Sequence, residues 1–275
     1  MILDGKKFAE CKIEELKNRV QKLEKTPRLA IIQVVGNPAS DKYVANKMKR
    51  CSEVGIKCDV YKLPQLVTTI ALGKLIEMLN DDNDIDGILL QLPLPQHLDE
   101  LYLTNLIKPE KDVDGFTISN TGKLSVGVDG FVSCTPKGII DLLKFYDIPV
   151  KHKDVLIINR SNIVGKPLAQ LFLKEDATVT IAHSKTLGIK EKIWKSDIVV
   201  TAVGVPDFID EKDFKNDTTI IDVSINFKDG KMCGDISRED VEKLKHRCNI
   251  TPVPGGVGQT TVISLLDNVI STLEK

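Results

Sequence analysis

Two side chains suited to acid–base chemistry, Tyr43 and Lys47, lie four residues apart in the segment YVANK. If this segment is helical, the spacing places the phenol and the amine on one face. Either group can donate or accept a proton during a reaction. The alternative interpretation is an ordinary solvated lysine, because Lys42, Lys49 and Arg50 make the same stretch basic.

Further polar groups follow an expected strand at 87–91. Gln91 ends that strand, at the edge where open parallel sheets bind ligands, although a glutamine there can also be a simple loop hydrogen-bonding group. Asp112 and Asp114 lie in KDVDG, either as part of a surface turn or as carboxylates that pair with a flat donor edge such as an amino-pyrimidinone. Two acids are too few for a calcium loop.

The stretch 155–172 has the pattern of a phosphate-binding turn. Val155–Ile158 is the apolar run of a strand buried on both faces, and a polar turn follows at 159–162. Gly165 allows close backbone approach, and Pro167 fits the first turn of a helix. The N-terminus of such a helix attracts phosphate through its N–H groups and its dipole. The usual G-x-G-x-x-G fingerprint is absent, so a plain strand–helix connection is the alternative.

Residues after the next strand favour NADP over NAD. The strand-like run 177–182 is followed by His183, Ser184 and Lys185. In a dinucleotide site an acidic residue at this strand end would bind the 2′-hydroxyl of NAD. This chain has none there, and Arg160 is expected nearby in the fold. A cationic and hydroxyl-bearing strand end suits a 2′-phosphate, so we expect NADP as the cofactor.

Composition narrows the class of protein. The chain has 275 residues, of which 42% are hydrophobic and 28% charged, as in ordinary globular proteins. A net charge of −1 gives no electrostatic reason to expect nucleic acid or a membrane as partner. No apolar run approaches the ~20 residues of a membrane span, and no signal-peptide pattern is present. The six cysteines form no C-x-x-C pair and the four histidines have no metal-ligand spacing. We expect reduced thiols, no metal and a cytoplasmic location.

Strands and helices alternate along the chain, which predicts an α/β fold with parallel sheets. The expected helices are at 5–24, 40–54, 69–80, 136–146, 167–172, 189–194, 238–245 and 262–273, and the expected strands at 29–35, 56–63, 87–91, 155–158, 177–182, 198–202 and 219–223. A turn is expected at 36–38. Turn-forming residues are dense over 108–135, which predicts a long functional loop or a domain junction. A glycine-rich loop at 251–258 precedes the last helix, with Thr260 or Thr261 as its cap.

Taken together and in this order, these motifs resemble the bifunctional methylenetetrahydrofolate dehydrogenase/cyclohydrolase family from end to end. The matching stretches are YVANK (43–47), QLPLP (91–95), KDVDGF (111–116), CTPKG (134–138), RSNIVGKP (160–167), HSKT (183–186) and TPVPGGVG (251–258). Without an attached synthetase segment, the chain is similar to the short form with two activities.

The resemblance implies two α/β domains with a folate cleft between them, the second a Rossmann-like NADP-binding domain. Residues 1–134 with 260–275 are expected to form the folate-binding catalytic domain, and 135–259 the NADP domain. The implied reactions oxidise 5,10-methylenetetrahydrofolate to the methenyl form with NADP and then hydrolyse it to 10-formyltetrahydrofolate. The implied partners are the folate substrate and, in a homodimer, a second copy of the chain.

The resemblance also implies roles for particular residues. Lys47 is the key catalytic side chain of the hydrolytic step, and Gln91 supports it. Tyr43 packs beside the substrate and Asp114 anchors the pterin. The implied substrate-binding residues are Tyr43, Gln91, Asp114, Pro254, Gly255 and Gly256, and the implied cofactor-binding residues are Asn159, Arg160, Ser161, Gly165, His183, Ser184, Ala202, Gly204, Ser224, Ile225 and Thr261.

Three positions depart from the family pattern. Asn159 replaces the glycine usual before Arg-Ser, so its side chain is expected to crowd the pyrophosphate. Gln259 and Thr260 replace the usual Pro-Met, and Ser224 replaces a glycine near the nicotinamide. We expect altered affinity and an unaltered reaction.

Two other classes of protein remain open. A dehydrogenase of the shikimate or amino-acid type shares the architecture but has no need for QLPLP or KDVDG. A nucleotide-sensing relative without catalysis would keep the fold, but such a binder has no use for Lys47.

Overall fold

The structure is a computed structural model that describes residues 1–36 and 38–274. Its helices and strands, in chain order, are α1 (Gly5–Val20), β1 (Arg28–Val34), α2 (Pro38–Val54), β2 (Lys57–Leu63), α3 (Thr69–Asp81), β3 (Gly87–Leu90), α4 (Glu100–Leu106), α5 (Ile118–Val126), α6 (Cys134–Phe145), β4 (Asp154–Ile158), α7 (Gly165–Lys174), β5 (Thr178–Ala182), α8 (Ile189–Lys195), β6 (Ile198–Thr201), a 3-10 turn (Glu211–Asp213), β7 (Thr219–Asp222), β8 (Asn226–Lys228), β9 (Lys231–Cys233), α9 (Arg238–Leu244), β10 (Asn249–Ile250) and α10 (Val257–Ser271). The turn predicted at 36–38 includes Asn37, which lies outside the described residues.

The chain divides into two compact units. The first unit comprises residues 1–10 and 135–261, and the second comprises 11–134 and 262–275. Helices α1 and α10 each contain a point at which the chain passes from one unit to the other. The assignment of a folate domain and an NADP domain to particular residues stays a prediction.

The second unit is built on a three-stranded parallel sheet in the order β2-β1-β3. The central strand β1 is buried at every position after Arg28, which explains why all of these positions except Gln33 are apolar. Ile32 of β1 lies opposite Leu90 of β3 in the register, so the residues that follow these two strands meet at one edge of the sheet. This edge receives Gln91, whose backbone N–H donates to the carbonyl of Ile32 (2.9 Å).

The first unit contains a five-stranded parallel sheet in the order β10-β7-β6-β4-β5. β5 pairs with one side of β4 and β6 with the other, so the strand order reverses at β4. Open parallel sheets bind ligands outside the carboxyl ends of their strands at such a reversal. A ligand site is therefore expected among the residues that follow β4, β5 and β6. The expectation of an α/β protein with parallel sheets in two domains is confirmed.

The region 108–135 was predicted as a long functional loop or a domain junction. The loop alternative was wrong over 118–126, which form helix α5, whereas the boundary between the two units does fall at the end of this region. The Thr117 hydroxyl accepts a hydrogen bond from the backbone N–H of Asn120 (3.2 Å), and Gly127 ends the helix in a left-handed conformation. A helix of 9 residues has too few turns to show a clear period against dense turn formers. Helix α4 was missed for the same reason, although Asp99 caps it.

The last helix was predicted to begin at 262, but α10 begins at Val257. Thr260 and Thr261 lie inside its first turns and donate to the carbonyl oxygen of Val257 (2.9 and 3.2 Å). Neither threonine is therefore the N-cap. The hairpin of β8 and β9 was not predicted from the sequence, although the dipeptide Asp229-Gly230 is a signal for it.

No helix within residues 1–36 and 38–274 is both long enough and apolar enough to cross a membrane.

Candidate active site and cofactor pocket

Helix α2 and the end of β3 bring Lys47 and Gln91 together. The Lys47 ammonium donates a hydrogen bond to Gln91 Oε1 (3.0 Å), and Gln91 Nε2 donates to the carbonyl of Leu92 (2.7 Å). The second bond fixes the amide so that its oxygen faces the lysine. Both side chains are half-buried. Lys47 is thus held by a neutral acceptor and makes no ion pair within the described part of the chain.

Tyr43 lies one helical turn before Lys47 on α2, as the spacing predicted. Burial of its phenol raises the pKa of Tyr43 above its usual value, although 42% of the residue remains exposed. The hydroxyl therefore stays protonated over the physiological pH range, where it can donate a hydrogen bond.

The two carboxylates of KDVDG have different surroundings. Asp112 is almost fully buried and accepts bonds from the backbone of Phe116 (3.2 Å), the backbone of Thr117 (2.9 Å) and the side chain of Asn120 (2.9 Å). These bonds fold the turn, which agrees with the turn alternative for Asp112. Asp114 is half-buried, and its ionised form is favoured by Lys47.

Burial raises the pKa of Asp114 above its ordinary value, while the charge of Lys47 and a hydrogen bond with Cys134 act in the opposite direction. A carboxylate with these neighbours keeps acceptor capacity for a ligand. A planar donor edge that offers two N–H groups would match it.

Gln33 is a polar residue whose part in the site was not predicted from the sequence. It interrupts the apolar run of β1, is buried, and donates from Nε2 to the carboxylate of Asp41 on α2 (2.7 Å). Its Oε1 has no hydrogen-bond partner among the residues that the structure describes. The register of β1 and β3 places Gln33 near Gln91. Both glutamines bond to side chains of α2, Gln33 to Asp41 and Gln91 to Lys47. A glutamine inside a buried strand was the signal that could have indicated it.

The first unit has a cavity of about 460 Å³ at the carboxyl ends of β4, β5 and β6. It is lined by Ile158, Asn159, Arg160, His183, Ser184, Thr186, Ile189, Ala202, Val203 and Phe208. Five of the predicted cofactor-binding residues are therefore brought together by the fold. The other members of that predicted set lie in the same unit but do not line this cavity.

Asn159 holds the turn after β4 with its own side chain. Its Oδ1 accepts from the backbone N–H groups of Ser161 (2.8 Å) and Gly165 (3.1 Å), and its Nδ2 donates to the carbonyl of Ala202 (2.7 Å). A Cβ on Gly165 would lie 2.2 Å from the carbonyl oxygen of Asn159, which explains the glycine there. The N-cap of α7 is Val164, which makes no side-chain capping bond. The asparagine thus occupies N–H groups at the predicted phosphate-binding turn.

Arg160 and the HSKT segment supply the polar edge of the cavity. Arg160 is exposed and makes no hydrogen bond or ion pair with any other described residue, so its guanidinium is available to an anion. The HSKT segment forms a turn, because the backbone N–H of His183 donates to the Thr186 hydroxyl (2.9 Å) and that of Lys185 to His183 Nδ1 (3.2 Å). Ser184 is exposed within this turn.

Ser224 is used by the loop that follows β6. Its hydroxyl accepts from the backbone N–H of Gly204 (3.1 Å), a residue in the left-handed conformation with φ of 80°. Ile225 is 37% exposed beside it. The Ser224 hydroxyl therefore restrains the loop.

The residues of the TPVPGGVG segment contact the beginning of α1. The carbonyl of Gly255 accepts from the backbone N–H of Gly5 (2.9 Å), and a Cβ on Gly256 would lie 2.5 Å from the carbonyl oxygen of Pro252. Pro254 is exposed. Thr261 is half-buried in α10, where its hydroxyl shares a hydrogen bond with that of Thr135 (3.0 Å).

Asp222, at the end of β7, is a buried acid that was not predicted from the sequence to be part of a site. It accepts from the backbone N–H groups of Ser224 (3.2 Å) and Ile236 (3.0 Å). Burial, followed by the negative charge of Asp235, raises the pKa of Asp222 to about 7. Arg238 and Glu242 line the same cavity of about 290 Å³ as Asp222.

We expect Asp222→Asn to change how stability depends on pH. Because the pKa of this carboxyl is higher in the folded chain than in the unfolded chain, the folded state loses stability as pH rises from about 4 to about 7. Asparagine cannot ionise, so the variant does not lose this stability. The free energy of unfolding of Asp222→Asn minus that of the wild type should therefore rise by about 1–3 kcal/mol between pH 5 and pH 8. Denaturant unfolding of both proteins at the two pH values measures this change. A difference that does not vary with pH would contradict it.

No group of His, Cys, Asp and Glu side chains among residues 1–36 and 38–274 is arranged to hold a metal ion. The six cysteines are free thiols.

Two family models match most of the chain, and known proteins match its full length. The catalytic-domain model of tetrahydrofolate dehydrogenase/cyclohydrolase matches residues 3–114, and the NAD(P)-binding-domain model of the same family matches residues 133–275. The bifunctional protein FolD of Agathobacter rectalis is 44% identical over 279 residues, which cover 100% of this chain and 99% of the relative.

Two solved structures are also similar. The bifunctional FolD methylenetetrahydrofolate dehydrogenase/cyclohydrolase of Campylobacter jejuni has a TM-score of 0.96 at 40% identity, covering 100% of this chain and 98% of the other. The methylenetetrahydrofolate dehydrogenase-cyclohydrolase (FolD) of Trypanosoma brucei, complexed with NADP and an inhibitor, has a TM-score of 0.94 at 33% identity, covering 100% and 97%. With both of its halves matched by models of one family and relatives aligned over its full length, the chain belongs to the tetrahydrofolate dehydrogenase/cyclohydrolase family.

Proposed function

We propose that the protein is a bifunctional enzyme that oxidises 5,10-methylenetetrahydrofolate with NADP and hydrolyses the methenyl product to 10-formyltetrahydrofolate. The observation that carries the proposal is the 3.0 Å hydrogen bond between the Lys47 ammonium and Gln91 Oε1 at the ligand-binding edge of a parallel sheet. A dehydrogenase of the shikimate or amino-acid type is not favoured, since it does not account for the match to the catalytic-domain model. A non-catalytic nucleotide sensor is not favoured either, since it has no use for Lys47 held against Gln91.

In the hydrolytic step, water adds to the methenyl carbon and one carbon–nitrogen bond of the ring then breaks. This requires a proton to leave the attacking water and another to reach the departing nitrogen. Lys47 is the group that we assign to this proton movement, at its Nζ. Gln91 holds the amine at a fixed position through its oxygen, and Tyr43 offers a hydroxyl on the same helix face.

Asp114 is the group that we assign to the pterin. A carboxylate accepts two parallel hydrogen bonds from an amino-pyrimidinone edge, which sets the orientation of the ring as well as its affinity. Asp112 supports it indirectly by folding the KDVDG turn. Pro254, Gly255 and Gly256 remain proposed substrate contacts on the basis of the family resemblance alone.

The cavity after β4, β5 and β6 fits the adenosine end of NADP. Its apolar wall suits the adenine ring, and Arg160 at its rim is a cation without a partner within the described residues. Arg160 and Ser184 are assigned to the 2′-phosphate. Bound NADP would supply the acceptor for the hydride that leaves the methylene carbon of the substrate. The proposed contacts of Ser161, Gly165, Gly204, Ile225 and Thr261 rest on the resemblance.

The family resemblance also leads us to propose a homodimer in the cytoplasm. Six free thiols support a reducing compartment. In one-carbon metabolism the formyl product and its precursors would serve the biosynthesis of purines, histidine and methionine.

One spectrophotometric experiment tests the proposed function. The purified protein is mixed with methylenetetrahydrofolate and NADP, and then with NAD, while reduced cofactor and a transient methenyl absorbance are followed. A separate sample receives methenyltetrahydrofolate without cofactor, which isolates the hydrolytic step. Absence of both activities from folded protein would refute the proposal.

We expect Asn159→Gly to tighten NADP binding. The substitution releases the N–H groups of Ser161 and Gly165, which the asparagine oxygen now occupies, and it removes a side chain from the wall of the cavity. Each released donor that reaches a phosphate would contribute about 0.5–1.5 kcal/mol or more. Titration with NADP measures the affinity, and hydrolysis of the methenyl substrate without cofactor should be unaltered. Unchanged or weaker binding would show that the asparagine is already well accommodated.

A further inference from the structure

Asp235 is a fully buried acid whose carboxylate is surrounded by donors from the loop that follows β6. Its Oδ2 accepts from the Thr201 hydroxyl (2.6 Å) and from the backbone N–H of Val203 (2.8 Å). Its Oδ1 accepts from the backbone N–H groups of Gly204 and Val205, both at 3.0 Å. Three consecutive backbone N–H groups thus converge on one carboxylate, which is the arrangement of an anion-binding nest.

The backbone of the same residue fastens the other end of the loop. The carbonyl oxygen of Asp235 accepts from the N–H of Phe208 (2.8 Å) and less closely from that of Ile209 (3.4 Å). Ile209 also forms an isolated parallel bridge with Ile236, the next residue after Asp235. A single residue, 34 positions along the chain from Thr201, therefore holds both ends of the segment 203–208.

This segment forms part of the cavity that the proposed function assigns to the cofactor. Val203 and Phe208 line the cavity, and both remain partly exposed, at 37% and 40%. These two apolar side chains are the ones that the segment contributes to the cavity wall. The backbone N–H of each donates to Asp235, that of Val203 to the carboxylate and that of Phe208 to the carbonyl oxygen. The position of both therefore depends on the hydrogen bonds to Asp235.

From this geometry we propose that Asp235 is the positioning residue of the cofactor pocket, holding Val203 and Phe208 in the arrangement that accepts NADP. The inference rests on the proposed function and adds to it a residue that does not line the pocket. Asparagine cannot replace the aspartate, because its NH₂ group would face an N–H or O–H donor wherever it pointed. The proposal assigns Asp235 no contact with substrate or with reacting atoms.

The test measures cofactor binding and the two activities on the same preparations. Asp235→Asn should weaken NADP binding, measured by calorimetric titration, by about tenfold or more, and should raise the KM for NADP more than it lowers kcat. Hydrolysis of methenyltetrahydrofolate without cofactor should stay near the wild-type rate. Asp229→Asn is the matched control, because Asp229 is exposed in the hairpin turn and should change none of these quantities.

Two further variants keep the proposal testable if Asp235→Asn folds poorly. Asn226→Ala removes one donor to the carboxylate of Asp235 (3.2 Å) and should weaken NADP binding in the same direction by a smaller factor. Phe208→Ala removes one of the positioned side chains, so adding Asp235→Asn to it should cost less affinity than in the wild-type background.

Wild-type NADP affinity in folded Asp235→Asn, or fully additive effects with Phe208→Ala, would overturn the proposal. Equal loss of both activities in Asn226→Ala would do the same, because it would indicate a general structural role. Lack of both activities in the wild-type protein would instead contradict the proposed function.

Discussion

Lys47→Met is expected to lose almost all hydrolysis of methenyltetrahydrofolate and to keep some reduction of NADP, so that the methenyl compound accumulates. Hydride transfer mainly requires that two reacting atoms be held close together, which is a task of positioning. Opening of the methenyl ring requires proton movement, and loss of the titrating group that performs it typically costs ~10²–10⁴-fold. Methionine keeps the length and the apolar stem of lysine but removes the amine. Both half-reactions are to be assayed on one preparation.

Lys49→Met is the matched control for this prediction. Lys49 lies two residues further along α2 and is largely exposed, with a distant ion pair to Glu53 (3.9 Å). Its substitution should leave both activities intact. Circular dichroism checks that each variant is folded. Near wild-type hydrolysis by Lys47→Met would mean that Lys47 is an ordinary helix residue, and the mechanism proposed for the hydrolytic step would be wrong.

Arg160→Ala is expected to raise the KM for NADP by tenfold or more and to leave the use of NAD nearly unchanged. A hydrogen bond between charged groups contributes roughly 1.5–3 kcal/mol, and only NADP carries the 2′-phosphate that would receive it. Arg160 is exposed at the cavity rim and has no competing partner within the residues described, so its guanidinium need not give up another contact. Steady-state kinetics with both cofactors measure the effect.

Lys166→Ala provides the comparison, since Lys166 is a nearby cation at the beginning of α7 whose amine already donates to Asn162 Oδ1 (2.7 Å). It should change the KM for NADP much less than Arg160→Ala does. An equal loss with NADP and NAD in Arg160→Ala would rule out the assignment of the 2′-phosphate to this residue.

Local sequence patterns were sufficient to predict features that depend only on residues close together in the chain. The apolar run 155–158 predicted a buried strand, and β4 occupies Asp154–Ile158. The four-residue spacing of Tyr43 and Lys47 placed them on successive turns of α2. These features depend on hydrophobic periodicity and on the geometry of one helix or strand. Short elements such as α4 and α5 were missed, because one or two turns show little periodicity.

The family and the parallel α/β fold could also be predicted from the sequence. QLPLP, KDVDG and TPVPGGVG occur in one chain and in one order, and family models then matched both halves. What these motifs could not indicate is which of their members face a ligand. Asp112 and Asp114 cannot be told apart in the sequence. In the structure Asp112 accepts hydrogen bonds from the backbone of its own turn, whereas Asp114 has Lys47 as a charged neighbour.

The sequence by itself therefore determined the class of fold, the family and the candidate chemical groups, because these follow from composition, periodicity and short motifs. The tertiary structure alone decided how distant residues are paired. Lys47 bonds to Gln91, 44 positions away, and Asn159 in the predicted phosphate-binding turn bonds to Ala202, 43 positions away. Asp235 accepts hydrogen bonds from a loop that precedes it by about thirty residues. Such pairings depend on strand order and register, which bring chain segments together without leaving a local pattern in either of them.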